Sequence, residues 1–146
     1  MSDIRMATIY FNSAGTGGNK KDAHGEALPH HDLQADLDSG WRLTKMKSVG
    51  GGLAPSGDIN GWLLVTLERV DSSAKLSQQR LVSLFLTPKG FGLRQKDDAG
   101  RYDTYPALDE FLDQGWHPAE TTEVGFSTYG GTGTSVGWVV VLLEKL

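Results

Sequence analysis

The stretch LDSGW at residues 37–41 returns later in the chain as LDQGW at residues 112–116. A second stretch, GWLLVTLER at 61–69, returns as GWVVVLLEK at 137–145. The first pair is offset by 75 positions (112 − 37) and the second by 76 (137 − 61), so one residue was gained in between. Two long copies are too few for a solenoid. We therefore predict a single domain, residues 1–146, made of two repeats at about 4–70 and 80–146 with a polar connector at 71–79.

Each repeat is predicted to fold as strand, helix, strand, strand. Short, β-prone apolar runs predict the first strands at residues 7–11 and 81–86. The other predicted strands lie at 41–49 and 62–70 in the first repeat and at 116–124 and 138–145 in the second. The fold class is therefore α+β, with internally duplicated βαββ units, a mainly antiparallel sheet and two short helices.

The two helices are recognised by their spacing and their ends. Leu33 and Leu37 are four residues apart and lie on one helix face. Pro106 suits the first position of the second helix. Gly40 and Gly115 suit the left-handed residue that terminates a helix. The tryptophan after each of these glycines is then placed to turn into a core.

The connections predict how the strands lie beside one another. A link through a helix makes the first and second strands parallel, and a hairpin returns the third strand antiparallel between them. The third strands are apolar on both faces, which predicts cover on both sides. Two short helices cover at most one face of a six-stranded sheet. We therefore expect a homo-oligomer associating across the other face, with Trp62 and Trp138 as contact residues, or one half-sheet folded onto the other.

Composition limits the class of protein. With 38% hydrophobic and 22% charged residues, the 146-residue chain is typical of a globular domain. The net charge of −4 argues against duplex nucleic acid as a partner. The absence of cysteine excludes disulfides, thiolate zinc sites and cysteine nucleophiles. The chain shows no secretion signal or membrane-spanning run, so we expect a cytoplasmic protein without a membrane partner.

The order of these motifs resembles a known group of domains. A short helix ending in Leu-x-x-Gly-Trp, a glycine-rich turn and a final strand closing in Leu-Glu-Arg or Leu-Glu-Lys is similar to small bacterial and phage domains of unknown function that carry a Gly-Trp-Glu-Leu signature. The likeness covers residues 33–69 and 108–145. The chain departs from the signature after each tryptophan, with Arg42 in one repeat and His117 in the other. The resemblance concerns the fold and supplies no catalytic residues.

Glycine-rich segments give the functional hypothesis. The predicted topology brings the loop after the first strand, the helix N-terminus and the hairpin together at one end of each repeat. Exposed backbone N–H groups, a helix N-terminus and basic side chains suit a small anionic, nucleotide-like ligand. Tyr10, Tyr105, Tyr129 and Phe126 are the candidate stacking residues for its base. The predicted binding residues are Lys20, Lys21, His30, His31, Gly51 and Gly52 in the first repeat, and Arg94, Lys96, Arg101, Tyr105, Tyr129, Gly131 and Thr132 in the second.

Other functions stay open at this point. The glycine segments match no phosphate-binding fingerprint and are equally typical of plain connections or protein contacts, so a protein-interaction or assembly module is the alternative. His24, His30, His31 and Asp32 could bind a metal, but their spacing fits no known motif. Glu68 and Glu144 are equivalent strand-end carboxylates for which a surface ion pair is the simpler explanation. We therefore predict no catalytic residue, metal or cofactor, with a weak enzyme using the histidine segment as the third hypothesis.

Overall fold

The structure, a computed structural model, describes residues 3–12, 27–53, 59–69, 77–86, 105–129 and 134–146. Every predicted strand and helix is present in these ranges, and one short strand, β2, was not predicted. The elements are β1 (Ile4–Asn12), β2 (Ala27–Pro29), α1 (His31–Asp38), β3 (Trp41–Leu53), β4 (Ile59–Arg69), β5 (Gln78–Leu86), α2 (Pro106–Asp113), β6 (His117–Tyr129) and β7 (Thr134–Lys145).

Both helices begin and end as their residues require. Pro106 is the first residue of α2, where its missing N–H costs nothing. Gly40 and Gly115 follow the two helices with the same φ of +97°, a conformation that disfavours any side chain. The predicted helix ends are therefore confirmed in both repeats.

The strands form two sheets rather than one. The first sheet has the order β1-β4-β3 and the second the order β2-β5-β7-β6, and all pairings are antiparallel. The third strand of each repeat lies between the other two, as predicted, so β1 and β3 are parallel to each other. The predicted single six-stranded sheet is wrong. Two separate sheets can pack face to face and bury apolar side chains that one open sheet would leave in water.

The main core lies between the two sheets. Its first-sheet members include Leu63, Val65 and Leu67 on β4, which lie opposite Trp138 and Leu142 on β7. Leu33 of α1 joins the same cluster. The expectation that one half-sheet folds onto the other is therefore confirmed.

The two central strands differ in how they are covered. β7 is buried on both faces, because Val141 and Leu143 on its second face pack in a cluster with Phe111 of α2. β4 is buried on one face only, and Trp62 on the other face is 44% exposed. The prediction that both faces of each central strand are covered is therefore confirmed for β7 and wrong for β4. Within the described chain, α1 and the second sheet both lie on the same side of the first sheet, so the other face of β4 stays uncovered.

The two repeats share their strand registers as well as their strand order. Tyr10 lies opposite Trp62 in the first sheet, and Phe85 lies opposite Trp138 in the second. β3 and β6 each carry two register shifts. They follow Leu43 and Val49 in β3, and the equivalent residues Pro118 and Val124 in β6. The offsets found in the sequence therefore hold for each strand pair.

The change of offset from 75 to 76 can be placed in the structure. Gly52 lies opposite Asn60 in the first repeat, and Ser127 lies opposite Val136 in the second. The offset is still 75 (127 − 52) before the hairpin and already 76 (136 − 60) after it. The segment between Ser127 and Val136 is therefore one residue longer than the segment between Gly52 and Asn60.

Candidate functional site

Most of the exposed large hydrophobic side chains of the described chain lie on the uncovered face of the first sheet. Side chains alternate between the two faces of a strand, so every second residue of β1, β4 and β3 lies on this face. Ile4, Met6, Val49 and Trp62 are among its exposed apolar members. The outer face, as we call it, comprises Ile4, Met6, Thr8 and Tyr10 of β1, Trp62, Leu64 and Thr66 of β4, and Lys45, Lys47 and Val49 of β3.

Two aromatic rings meet at one end of the outer face. Tyr10 and Trp62 are directly opposite each other on β1 and β4, with ring centroids 4.6 Å apart and planes tilted by 42°. The side-chain amide of Asn12 donates a hydrogen bond of 3.0 Å to the Tyr10 hydroxyl. The tyrosine is thus held on two sides, while much of the indole of Trp62 remains open to solvent.

Basic side chains continue the outer face from this aromatic pair. Val49 of β3 lies opposite Trp62 and is 45% exposed. Lys47 and Lys45 follow on the same face of β3, both exposed. Residues two apart on a strand are about 7 Å apart, so Lys47 lies roughly one such step from the indole. An aromatic surface and a positive charge therefore lie side by side.

The ends of several elements converge at this end of the first sheet. Asn12 at the end of β1, Asn60 on β4 and Gly52 on β3 form one row across the sheet. His30, which precedes α1, packs edge-on against Phe11 with ring centroids 5.3 Å apart. The predicted meeting of the first strand's end, the helix N-terminus and the hairpin is confirmed for the first repeat.

Gly51 and Gly52 have a different setting from the predicted one. Both were expected in the hairpin turn, but they lie within β3, paired with Gly61 and Asn60. The register shift between Val49 and Gly51 leaves Gly50 as an extra residue at φ +63°, and the strand then resumes. The expectation that these two glycines lie in the turn is therefore wrong, and their part in ligand binding stays a prediction.

The remaining predicted site residues are only partly placed. His30 precedes α1 and accepts the Gln34 N–H at 2.9 Å through its carbonyl, and His31 is the first residue of the helix. Tyr105 precedes α2 and is half-buried against an apolar cluster. Tyr129 ends β6. Lys20, Lys21, Arg94, Lys96, Arg101, Gly131 and Thr132 lie outside the described residues, as does His24.

The residues of the second repeat that are equivalent to this aromatic pair are buried. Phe85 and Trp138 are the equivalent residues of the second repeat, with ring centroids 5.0 Å apart. Trp138 is fully buried, and Phe11 of the first sheet packs against it at 5.5 Å. The same strand positions thus form core in one repeat and exposed surface in the other.

A repeated arginine–tryptophan contact was not anticipated from the sequence. The guanidinium of Arg5 lies over the Trp41 ring at 4.3 Å, and that of Arg80 lies over Trp116 at 5.0 Å. Both tryptophans are buried, as expected. Arg5 and Arg80 are separated by the same 75 positions (80 − 5) as the motifs, which is the signal that could have revealed the pair.

A polar network joins the two sheets. The Gln79 side chain accepts a hydrogen bond of 2.8 Å from the Leu43 N–H and donates one of 3.0 Å to the Leu43 carbonyl. The Glu144 carboxylate accepts a hydrogen bond of 3.1 Å from Gln79 Nε2 and one of 2.8 Å from Arg42 Nη2. Glu144 therefore pairs with an arginine of the other repeat, while its equivalent Glu68 is exposed.

Among the residues that the structure describes, no group of three histidine, aspartate or glutamate side chains is placed to hold a metal ion. None of the described helices has the length and apolar character needed to cross a membrane. No family model, curated protein or solved structure matches the chain.

Proposed function

We propose that this protein is a non-catalytic binding protein for a small anionic, nucleotide-like ligand, which it holds on the outer face at Tyr10 and Trp62. The observation that carries the proposal is the exposure of Trp62 beside a tyrosine fixed by Asn12. A planar base stacked on an exposed aromatic ring gains about 1–3 kcal/mol. Because the protein ring is already held by its neighbour, little side-chain entropy is lost on binding.

The charges beside the pair suit the anionic part of such a ligand. Lys47 lies across from Leu64 and Lys45 across from Thr66, on the strand next to Trp62. A ligand base on the indole would direct its phosphate along β3 toward these ammonium groups. Lys20 and Lys21, predicted to bind the same ligand, belong to the segment that connects β1 with α1, and His31 is the first residue of α1.

We also infer that the two repeats arose by duplication, on the strength of their common strand order, registers and bulges. On that basis the ligand site of the second repeat would differ, because its aromatic pair is core. A second site formed by Arg94, Lys96, Arg101 and Tyr105 stays a prediction. We propose that the protein sequesters its ligand and releases it chemically unchanged.

The test is a binding screen on the full chain. Purified protein is heated with nucleoside mono-, di- and triphosphates, cyclic nucleotides and dinucleotides, and hits are titrated by calorimetry. A ligand that binds only the native state raises the melting temperature. When the ligand concentration is a hundredfold above the dissociation constant, the free energy of unfolding rises by about 2.7 kcal/mol. Recovery of the ligand chemically unchanged supports binding without catalysis, and turnover would contradict it.

Matched variants locate the site. Trp62→Ala is expected to abolish the calorimetric signal, and Lys47→Ala to weaken affinity about tenfold, which corresponds to about 1.4 kcal/mol. Lys145→Ala, a lysine on β7 of the second sheet, serves as the charge control. Unchanged affinity in Trp62→Ala, with the fold intact by circular dichroism, would contradict the proposed site.

A protein-interaction module is the second candidate. The observation that favours it is the apolar content of the outer face beyond the aromatic pair, with Ile4 and Met6 both more than half exposed. Soluble proteins rarely expose contiguous apolar patches of this kind without a partner. No thermal shift with any nucleotide, together with stable co-purification of another protein that Met6→Lys prevents, would favour this candidate.

A further inference from the structure

The outer face is divided along its length into an apolar half and a basic half. Its side chains form rows across the sheet, from β1 through β4 to β3: Tyr10, Trp62 and Val49; Thr8, Leu64 and Lys47; and Met6, Thr66 and Lys45. β1 and β4 supply the aromatic rings and most of the apolar side chains. Both lysines lie on β3, two residues apart, and both are exposed.

The charge of this face differs from that of the whole chain. None of the side chains in these rows is acidic, although the chain has a net charge of −4. The next outer position on β4 after Thr66 is Glu68, an exposed carboxylate that bounds the basic half at that end. Trp62 and Thr66 are four residues apart on one strand, which is about 14 Å. The face therefore offers a track of this length for an anionic ligand.

A single nucleotide would use only part of the track. A base stacked on Trp62 and one phosphate held by Lys47 give a dissociation constant of about 1 mM at best. Sites for small molecules are usually concave, whereas the outer face is an open sheet surface within the described part of the chain. Further nucleotides of the same strand would reach the next rows without a second loss of translational freedom. The face is therefore better suited to several linked nucleotides than to one.

We propose that the outer face binds a single-stranded oligonucleotide, with its bases over β4 and β1 and its phosphates along β3. This inference rests on the ligand site proposed at Tyr10 and Trp62 and names the class of its ligand. A single strand is divided as the face is, with bases on one side and charged phosphates on the other. At about 3.4 Å for each stacked nucleotide, the track holds about four. A duplex does not fit, because its paired bases cannot lie flat on the indole.

A length series tests the proposal on the full chain. Quenching of the Trp62 emission is titrated with thymidine 5′-monophosphate and with thymidine oligonucleotides of two, four and eight units. The affinity is expected to rise at least about a hundredfold from one unit to four, and less than about threefold from four to eight. Equal affinity for one unit and four would overturn this inference and leave the proposed nucleotide site standing. Quenching by none of them would overturn both.

Salt dependence tests the path of the phosphates. On a single strand, each phosphate neutralised by a lysine contributes about −0.7 to the slope of log affinity against log salt concentration. Binding of the four-unit oligonucleotide is therefore expected to have a slope of about −1.4 in the wild type and about −0.7 in Lys45→Ala. Lys45→Arg, which keeps the charge, and Lys145→Ala, on the second sheet, are expected to keep the wild-type slope. A wild-type slope in Lys45→Ala would overturn the phosphate path along β3.

Two further ligands separate nucleic acid from charge alone. A tetra-aspartate peptide carries negative charges without bases and is expected to leave the Trp62 emission unchanged. Binding of the peptide as tight as that of the oligonucleotide would overturn the proposal and indicate a face for acidic protein segments. A uridine tetranucleotide is compared with the thymidine one. Binding of either supports the proposal, and the tighter of the two identifies RNA or DNA as the ligand.

Discussion

Gly61 and Gly125 touch through their backbones where the two sheets cross: a Cβ atom added to Gly61 would stand 3.0 Å from the Gly125 Cα. A Cβ added to Gly125 would stand 2.8 Å from the Asn60 carbonyl oxygen. Both distances are shorter than van der Waals contact allows. The close packing of β4 against β6 therefore requires that these two positions have no side chain.

Gly125→Ala is expected to destabilise the fold by about 2–5 kcal/mol, since the left-handed φ costs about 1–2 kcal/mol and overpacking adds about 1–3 kcal/mol. Gly50 is the matched control, because it is the equivalent residue of the first repeat, has φ +63° and has no atom near an added Cβ. Gly50→Ala should lose only the conformational part. Urea unfolding of both variants measures the difference, and equal losses would contradict the proposed backbone contact.

Gln79→Ala is expected to cost about 2–4 kcal/mol, because it removes a buried side chain that satisfies both the N–H and the carbonyl of Leu43. The neighbouring Gln78 is exposed. Gln78→Ala should change the free energy of unfolding by less than about 0.5 kcal/mol. Chemical denaturation compares the two, and a small loss for Gln79→Ala would mean that the network contributes little to joining the sheets.

The ion pair of Arg42 with Glu144 is expected to be worth more than that of Arg5 with Asp36. The first pair is about one quarter exposed or less, at 25% and 19%, whereas the second is 47% and 37% exposed. Double-mutant cycles should give a coupling energy of about 1–2 kcal/mol for the first and below about 0.5 kcal/mol for the second. A reversed order would show that burial does not set the strength of these pairs.

Trp138→Ala is expected to destabilise the protein by about 3–5 kcal/mol, as loss of a fully buried aromatic side chain does. Trp62→Ala at the equivalent position of β4 should cost less than about 1.5 kcal/mol, because half of that ring is already in water. Thermal and urea unfolding provide the measurement. Similar losses for the two variants would indicate that the outer face is covered in solution.

Local sequence signals predicted the elements well and the packing of the sheets less well. The helix-ending glycines, Pro106 and the third strands were predictable because each depends on neighbouring residues alone. The division into two sheets depends on contacts between Gly61 and Gly125, which are far apart in sequence. The same cause explains why Trp62 and Trp138, alike in sequence context, were expected to be covered alike.

The meeting of several elements at one end of the first repeat was predictable, whereas Trp62 and Lys47 were not predicted as ligand-binding residues. The strand order brought Tyr10 and His30 to one end of the first repeat, as the topology argument required. Gly51 and Gly52 were misplaced because a bulge at Gly50 lets the strand continue, and a run of glycines gives no signal of that. The role of Lys47 depends on which face of β3 it occupies, which the bulges decide.

The proposed ligand site is tested most directly by tryptophan fluorescence during a nucleotide titration. Trp41, Trp116 and Trp138 are buried, so a stacking ligand can quench only Trp62. The wild-type emission is expected to fall with saturation, and the Trp62→Phe variant is expected to show no change while remaining folded. Quenching that persists in Trp62→Phe, or none with any nucleotide in the wild type, would contradict binding at Tyr10 and Trp62.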